Sequence, residues 1–257
     1  MDRIQNAITA VILTMNEERN IGRCLAALSF CDEILVFDSG STDKTVELAQ
    51  GKARVVTRPF TNFGDQRNAA ATHITTEWAL WIDADEVVTP ELAKSIRNAV
   101  ASNKADGYWL HRFTHFAGKK VRYGSWGSDG VLRLLRTSKS RWSDSAVHEH
   151  AIVNGATARL SGELLHFSFR DVDHYIDKVT RYSKVWAQGR AAVGKRSGLL
   201  QLLFHPAWRF TRDFLLRLGF LDGSLGAVVC GLSAYNSFLK YAYLYQLTTG
   251  APAAKPD

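Results

Sequence analysis

Residues 78–82, Trp-Ala-Leu-Trp-Ile, form an apolar run that stops at two carboxylates, Asp83 and Asp85, with Glu86 directly after. Five consecutive apolar residues suit a strand buried on both faces, as in a parallel sheet. Asp83 and Asp85 then fall at the carboxyl end of that strand, the edge at which open α/β sheets bind ligands. In an extended chain residues i and i+2 point the same way. The spacing therefore predicts that both carboxylates converge on one hard divalent cation, which takes oxygen ligands and leaves positions for phosphate oxygens. The competing reading is a polar loop in which an acid caps a helix starting near Pro90.

Three further apolar runs, at residues 8–13, 33–37 and 53–57, alternate with helical patterns at about 20–29, 44–50, 63–72 and 90–102. Strands alternating with helices of this length predict right-handed βαβ units and an α/β fold with a mostly parallel sheet. Four polar clusters lie near the strand ends: residues 14–18, 38–43, 64–68 and 83–86. Strand ends on one edge build one site. No G-x-G-x-x-G or G-x-x-x-x-G-K-[ST] occurs, so the common dinucleotide and P-loop fingerprints are missing.

Beyond residue 102 the pattern changes. Residues 108–116 and 132–135 read as strands joined by a Gly- and Trp-rich stretch, and a turn is expected at Asn154-Gly155. A long helix is expected over 172–192 and a further helical region over 199–245. The tail from residue 248 has the composition of a disordered end.

The chain has 257 residues and three cysteines, Cys24, Cys31 and Cys230, without metal-ligand spacing. An odd, unpatterned count points away from a disulfide framework and toward a reducing compartment. The first residues lack the apolar core of a signal peptide, and no run of about 18 uncharged apolar residues is present. The net charge of +7 favours anionic partners, whether nucleic acid, phosphorylated substrates or an anionic membrane surface.

The motifs Val11-Ile-Leu-Thr-Met-Asn-Glu-Glu18, Val36-Phe-Asp-Ser-Gly-Ser-Thr-Asp43, Gly64-Asp-Gln-Arg-Asn68 and Asp83-Ala-Asp85 resemble those of family 2 nucleotide-sugar glycosyltransferases, which have the GT-A fold. The resemblance covers about residues 8–105. It implies that Thr14, Glu17 and Asp38 hold uracil and ribose, that Arg67 lies against the nucleotide, that Asp83 contacts ribose and that Asp85 holds Mg²⁺ or Mn²⁺. Asp38, an acceptor when ionised, suits the imide N–H of a pyrimidine. The leaving nucleotide diphosphate gains negative charge, which a divalent cation offsets as a Lewis acid.

In the second half, Gly124-Ser-Trp126, Ser128-Asp129, Arg133-Leu-Leu-Arg136, Val147-His-Glu149, His166-Phe-Ser-Phe-Arg170, Arg181-Tyr-Ser183, Arg209-Phe210 and Gly219-Phe-Leu-Asp-Gly223 look like the lipopolysaccharide core glycosyltransferases within that family. This implies an inverting hexosyl transfer, with glucose from UDP-glucose, onto a lipid-linked inner-core saccharide. Such a transfer needs a base for the acceptor hydroxyl, and Glu149 and Asp129 are the candidates. His148, His150 and His166 are candidate additional metal ligands; the resemblance favours His166. Of Arg133 and Arg136, at most one is expected to face the site.

The expected organisation is a GT-A catalytic domain over residues 1–170, with a nucleotide-sugar half (8–105) and an acceptor half (106–170). A helical region over 171–247 and a tail at 248–257 follow. Arg209, Arg212 and Arg217 among Phe204, Trp208, Phe210 and Phe214 suit an interfacial helix on an anionic bilayer. The protein is therefore expected to be cytoplasmic and peripheral on the inner face of the cell membrane. Two alternatives compete: a polyprenyl-phosphate glycosyltransferase, whose ionised acceptor needs no strong base, and a basic nucleic-acid-binding protein. Scattered basic residues and the lack of a recognised motif argue against nucleic acid.

Overall fold

The computed structural model describes residues 3–143 and 149–249. The strands, in chain order, are β1 (Ile4–Thr14), β2 (Glu33–Asp38), β3 (Arg54–Thr57), β4 (Thr76–Asp83), β5 (Glu86–Val88), β6 (Gly107–Phe116), β7 (Lys119–Lys120), β8 (Ser128–Arg136), β9 (Ser140–Trp142), β10 (Ala151–Val153) and β11 (Thr157–Phe169). The helices are α1 (Ile21–Ala27), α2 (Thr45–Ala49), α3 (Phe63–Ala71), α4 (Pro90–Ser102), α5 (Val172–Ala192), α6 (Leu199–Thr211) and α7 (Gly223–Thr249).

The main sheet runs β3-β2-β1-β4-β8-β6-β11-β5. The first four strands are parallel, and β8 joins β4 antiparallel, as does β5 on β11. This is the α/β, GT-A-type arrangement expected from the first hundred residues, with helices following in the C-terminal region. β1 from Ala7 onward and β4 are buried almost throughout, so they read as apolar runs rather than alternations. Ile8, Ile12, Trp78, Leu80 and Ile82 pack with Leu92 and Ile96 of α4 into the largest core. Thr89 caps α4, accepting from the Leu92 N–H, and Pro90 follows at the first helical position, where its missing donor costs nothing.

Contacts divide the chain into two compact units. Among the described residues, the first holds those up to 113 together with those in 129–166, and the second holds 114–128 together with those from 167 onward. The short Gly- and Trp-rich stretch thus belongs with the helices. Trp126 explains why: its ring lies 5.0 Å from Tyr175 of α5 and 4.8 Å from Phe169.

One strand was not expected, and two expectations need correction. β11 is a thirteen-residue strand that has no counterpart in the sequence reading. Its residues are mostly half-exposed, so no apolar alternation marks it. Gly162 within it adopts φ +90°, and a Cβ there would lie 2.4 Å from the Leu92 nitrogen. Only glycine permits so close an approach to α4. The helical region expected over 199–245 is broken: a π-helical turn covers Arg212–Leu216, and Leu218 is left-handed at φ 60°. Gly219 follows, where a Cβ would lie 2.7 Å from the Asp213 carbonyl oxygen. The tail does not begin at 248, because Thr248 and Thr249 end α7, their hydroxyls donating to the carbonyls of Leu244 and Tyr245 at 2.7 and 2.6 Å. The rest of the expected tail lies outside the described residues, as do Val147 and His148.

Among the described residues no single helix is long and apolar enough to cross a membrane. The segments Leu199–Leu216 and Gly219–Thr249 pass that test only together, bent by 72°. The three cysteines are free.

Candidate active site

Strand register fixes the first part of the site. Thr14 pairs with Asp38 across β1 and β2, and Leu13 pairs with Asp83 across β1 and β4. Thr14, Asp38 and Asp83 therefore end three adjacent parallel strands at one edge. Thr14 is 4% exposed, and its hydroxyl is buried without a hydrogen-bond partner. Asp38 accepts from the backbone N–H groups of Gly40 and Ser41, both at 2.9 Å, and from the Ser41 hydroxyl. The two flanking loops are stitched together. Asn16, left-handed at φ 56°, accepts from the Thr42 N–H at 2.8 Å, and Thr45 accepts from the Glu17 N–H at 2.7 Å. The Glu17 carboxylate accepts from the Asn20 amide at 2.6 Å.

Asp83 is gripped by two arginines. Its Oδ2 accepts from Arg133 Nη2 at 2.6 Å and its Oδ1 from Arg67 Nη2 at 3.1 Å. Burial alone would raise its pKa, but the guanidiniums of Arg133 and Arg67 outweigh that and hold it well below the usual carboxylate range. Arg67 comes from α3, whose N-cap Asn62 accepts from the Asp65 N–H at 2.9 Å. It is 4% exposed, lies 4.4 Å over the Trp142 ring and donates through Nε to Glu149 at 3.3 Å. Asn68 and Trp142 exchange backbone–side-chain hydrogen bonds, both 3.2 Å, which fixes α3 against β9. Arg67 Nη1 is buried and without a partner.

The strand ends at Asp83, and Ala84 and Asp85 form a turn. This corrects the expectation that Asp83 and Asp85 converge as i and i+2 of one extended segment. Asp85 faces His166 instead, with Oδ2 3.3 Å from Nε2. The pairing of β11 with β5 explains the meeting, since His166 lies opposite Glu86. Among the described residues no cluster of three or more His, Cys, Asp or Glu could hold a metal alone. A carboxylate and an imidazole nonetheless fit a half-site for Mg²⁺ or Mn²⁺ whose remaining positions go to water and phosphate oxygens.

Behind this pair Glu86 is fully buried. Arg112 Nη1 lies 3.1 Å from its Oε1, and the Asp83 N–H donates to its Oε2 at 2.9 Å. Burial, reinforced by Asp83, raises its pKa despite Arg133 and Arg112. Arg112 also grips Asp129 with two hydrogen bonds, 3.0 and 2.7 Å. Burial opposes the charge on Asp129, but Arg112 dominates and lowers its pKa. A carboxylate so stabilised is a weaker base, which counts against Asp129 in that role. Arg136, by contrast, leaves the site for Glu77 and Asp106.

The structure thus brings Thr14, Asp38, Arg67, Asp83, Asp85, Glu149, Asp129 and His166 into the first compact unit, with Glu17 on the adjoining loop. Sequence reasoning assigned no role to Glu86 or Arg112 and left Arg133 open. Arg112 carried one signal: in β6 it shares a face with Leu110 and Thr114 by alternation, a charge where a half-buried strand would put an apolar residue.

The model of the family "Glycosyl transferase family 2" matches residues 9–155. The chain belongs to this family. It is a glycosyltransferase by the same finding. It is 30% identical over 251 residues to the lipopolysaccharide core biosynthesis glycosyltransferase LpsC of Rhizobium meliloti, covering 91% of this chain and 93% of that protein. An uncharacterized glycosyltransferase of Rickettsia typhi is 27% identical over 94% of this chain and 87% of its own. A solved structure, glucosyl-3-phosphoglycerate synthase of Mycobacterium tuberculosis with Mn²⁺, UDP and its product, is similar over 44% of each chain, at 23% identity and a TM-score of 0.35.

Proposed function

We propose that this family 2 enzyme transfers a hexose, glucose from UDP-glucose, with inversion onto a lipid-linked saccharide of the lipopolysaccharide core. The observation that carries the donor reading is the row formed by Thr14, Asp38 and Asp83 at the ends of three neighbouring parallel strands. The acceptor reading is supported by similarity to LpsC over nearly the whole chain.

In this reading Asp38, already oriented by its own turn, accepts the uracil imide proton. The unpartnered Thr14 hydroxyl and the Asp83 carboxylate hydrogen-bond to the nucleoside. Arg67 and Arg133 keep Asp83 ionised, so it acts as an acceptor for ribose hydroxyls. Asp85 and His166 would hold the Mg²⁺ or Mn²⁺, which supplies charge compensation to the departing diphosphate. Glu149 takes the acceptor proton; its bond to Arg67 is single and long at 3.3 Å, against two short bonds on Asp129. In this reading the enzyme works at the inner face of the cell membrane, from the cytoplasmic side; the exposed apolar face of α6 supports it.

One observation favours a second reading. Both candidate bases are paired with arginines, which suits an acceptor already ionised, such as a polyprenyl phosphate. The test is UDP release from a panel of UDP-hexoses with and without Mn²⁺, repeated on Asp85→Asn and His166→Ala. The proposal expects turnover with UDP-glucose and a loss of about 100-fold or more in Asp85→Asn, on the scale of several kcal/mol for metal-assisted charge stabilisation. No turnover with any donor, or full activity in that variant, overturns it.

A further inference from the structure

The second compact unit holds a cluster of cations that the sugar-transfer reading does not use. Among the described residues Asp213, fully buried in the π-helical turn, is the carboxylate these cations share. It pairs with Arg209 at 2.8 Å, with Arg212 at 2.9 Å and with Arg217 at 3.8 Å, and it accepts from the Ser125 hydroxyl at 2.7 Å. A cavity of about 280 Å³ opens beside it, with Arg209, Arg212 and Lys240 in its wall. None of the described residues lining this cavity is acidic. One carboxylate against the two guanidiniums and the ammonium in the wall leaves positive charge in excess at a partly enclosed place, where it is screened less than on an open surface.

The cavity also offers neutral donors and rigid walls. Ser233 is 5% exposed, and its hydroxyl is buried with no partner. An unpartnered buried hydroxyl carries a cost that a ligand oxygen would relieve. His205 of α6 stacks flat on Tyr241 of α7, centroids 4.2 Å apart and planes within 6°. Lys240 Nζ lies 5.7 Å from the Trp186 ring centroid. Burial, with Arg209 beside it, lowers the Lys240 pKa. An anion bound there would reverse that direction.

His205 also borders a second cavity of about 350 Å³, lined otherwise by Leu200, Gln201 and Phe204. Leu199, Leu200 and Leu203 are each more than 60% exposed, and Phe204 is 56% exposed. A cationic pocket thus adjoins an uncovered apolar face, a pairing that matches an amphiphile with an anionic head.

We propose that the cavity formed by Arg209, Arg212, Ser233 and Lys240 binds the phosphate monoester head of an anionic lipid, whose apolar part lies along Leu200 and Phe204. The proposal stands apart from the chemistry at the sheet edge. A chain inactive on every UDP-sugar would leave it untouched.

The test is co-flotation of the full chain with phosphatidylcholine vesicles doped either with phosphatidic acid or, to the same surface potential, with oleic acid. Lys240→Met keeps the side-chain stem and removes the charge, Lys240→Arg restores it, and Lys178→Met removes a cation outside the cavity. Circular dichroism melting checks that all three fold. Phosphatidic acid should be preferred over oleic acid, with glycerol 3-phosphate competing. Lys240→Met should weaken that binding roughly tenfold, the worth of one charge-assisted hydrogen bond. Lys240→Arg should restore it and Lys178→Met should leave it near wild type. Equal binding to oleic acid vesicles, or equal losses in Lys240→Met and Lys178→Met, overturns the proposal. Glycerol 3-phosphate binding as tightly as the vesicle lipid overturns the lipid assignment.

Discussion

Arg133 Nη2 lies 2.6 Å from Asp83 Oδ2 and 3.6 Å from Glu86 Oε1, so one guanidinium on β8 is shared by two acids at the end of β4 and the start of β5. Arg133→Met keeps most of the aliphatic stem, removes the guanidinium and leaves both acids short of a partner. Breaking a buried pair from one side costs about 3–5 kcal/mol. Asp83 keeps 31% of its side-chain exposure, so a loss of about 3 kcal/mol is expected in urea unfolding at neutral pH. The variant should also lose acid sensitivity. The depressed Asp83 pKa gives stability that is present above the ordinary value of 3.8 and is lost as pH falls below it. With Arg133 gone, that acid limb should flatten. An unchanged limb would show that Asp83 owes its ionisation to something else.

Glu86 has the opposite sign. Its pKa is raised from 4.5 by burial and by Asp83, so the folded chain binds its proton more tightly than the unfolded chain does. Its contribution is complete below about pH 4.5 and is lost as pH rises through the folded value. Glu86→Gln mimics the protonated form. Wild type and variant should therefore have similar stability near pH 4, and the variant should gain relative to wild type between pH 5 and 7. Urea midpoints across that range decide it. A variant that loses ground with rising pH would mean that Arg112 and Arg133 outweigh burial.

The two candidate bases separate by their arginines. Asp129 is held by two short bonds from Arg112 and is a poor proton acceptor, whereas Glu149 has one bond of 3.3 Å to Arg67. If the acceptor is a hydroxyl, Glu149→Gln should lower kcat by about 10²–10⁴, the usual worth of general base catalysis. Asp129→Asn should cost far less and act mainly by loosening Arg112. Turnover that survives both substitutions points instead to an ionised phosphate acceptor.

The parallel half of the fold was legible because its strands are buried on both faces. Residues 8–13 and 78–82 could scarcely be anything else, and their polar ends marked the edge where Thr14, Asp38 and Asp83 line up as a candidate site. The antiparallel half was harder to read. β11 carries few buried residues, and its partner β5 is three residues long, so neither produces a period. The Asp85–His166 meeting depends on that pairing, which is why the histidine was reached by family likeness and not by spacing. Arg133 and Arg136 sit three apart on one strand and so face opposite ways. Sequence alone could say that only one enters the site; the partners Asp83 and Asp106 say which. The break after Thr211 left no clear mark either, since a π-helical turn and a left-handed Leu218 satisfy local packing against a run that reads as helix throughout.

The apolar side of α6 bears on where the enzyme works. Leu199, Leu200, Leu203 and Phe204 are between 56% and 73% exposed, a concentration unusual for a surface that meets only water. Sinking such side chains into the acyl boundary is worth roughly 1.5–3 kcal/mol each. Leu203→Glu combined with Phe204→Glu should therefore shift most of the protein from the membrane pellet to the supernatant at physiological salt. The double variant should keep turnover on a soluble acceptor fragment, because neither side chain belongs to the first compact unit, which holds the candidate active site. Unchanged sedimentation would mean that another surface, or another protein, holds the enzyme at the membrane. Release by high salt alone, in wild type and variant equally, would assign the attachment to Arg209, Arg212 and Arg217 in place of the apolar face.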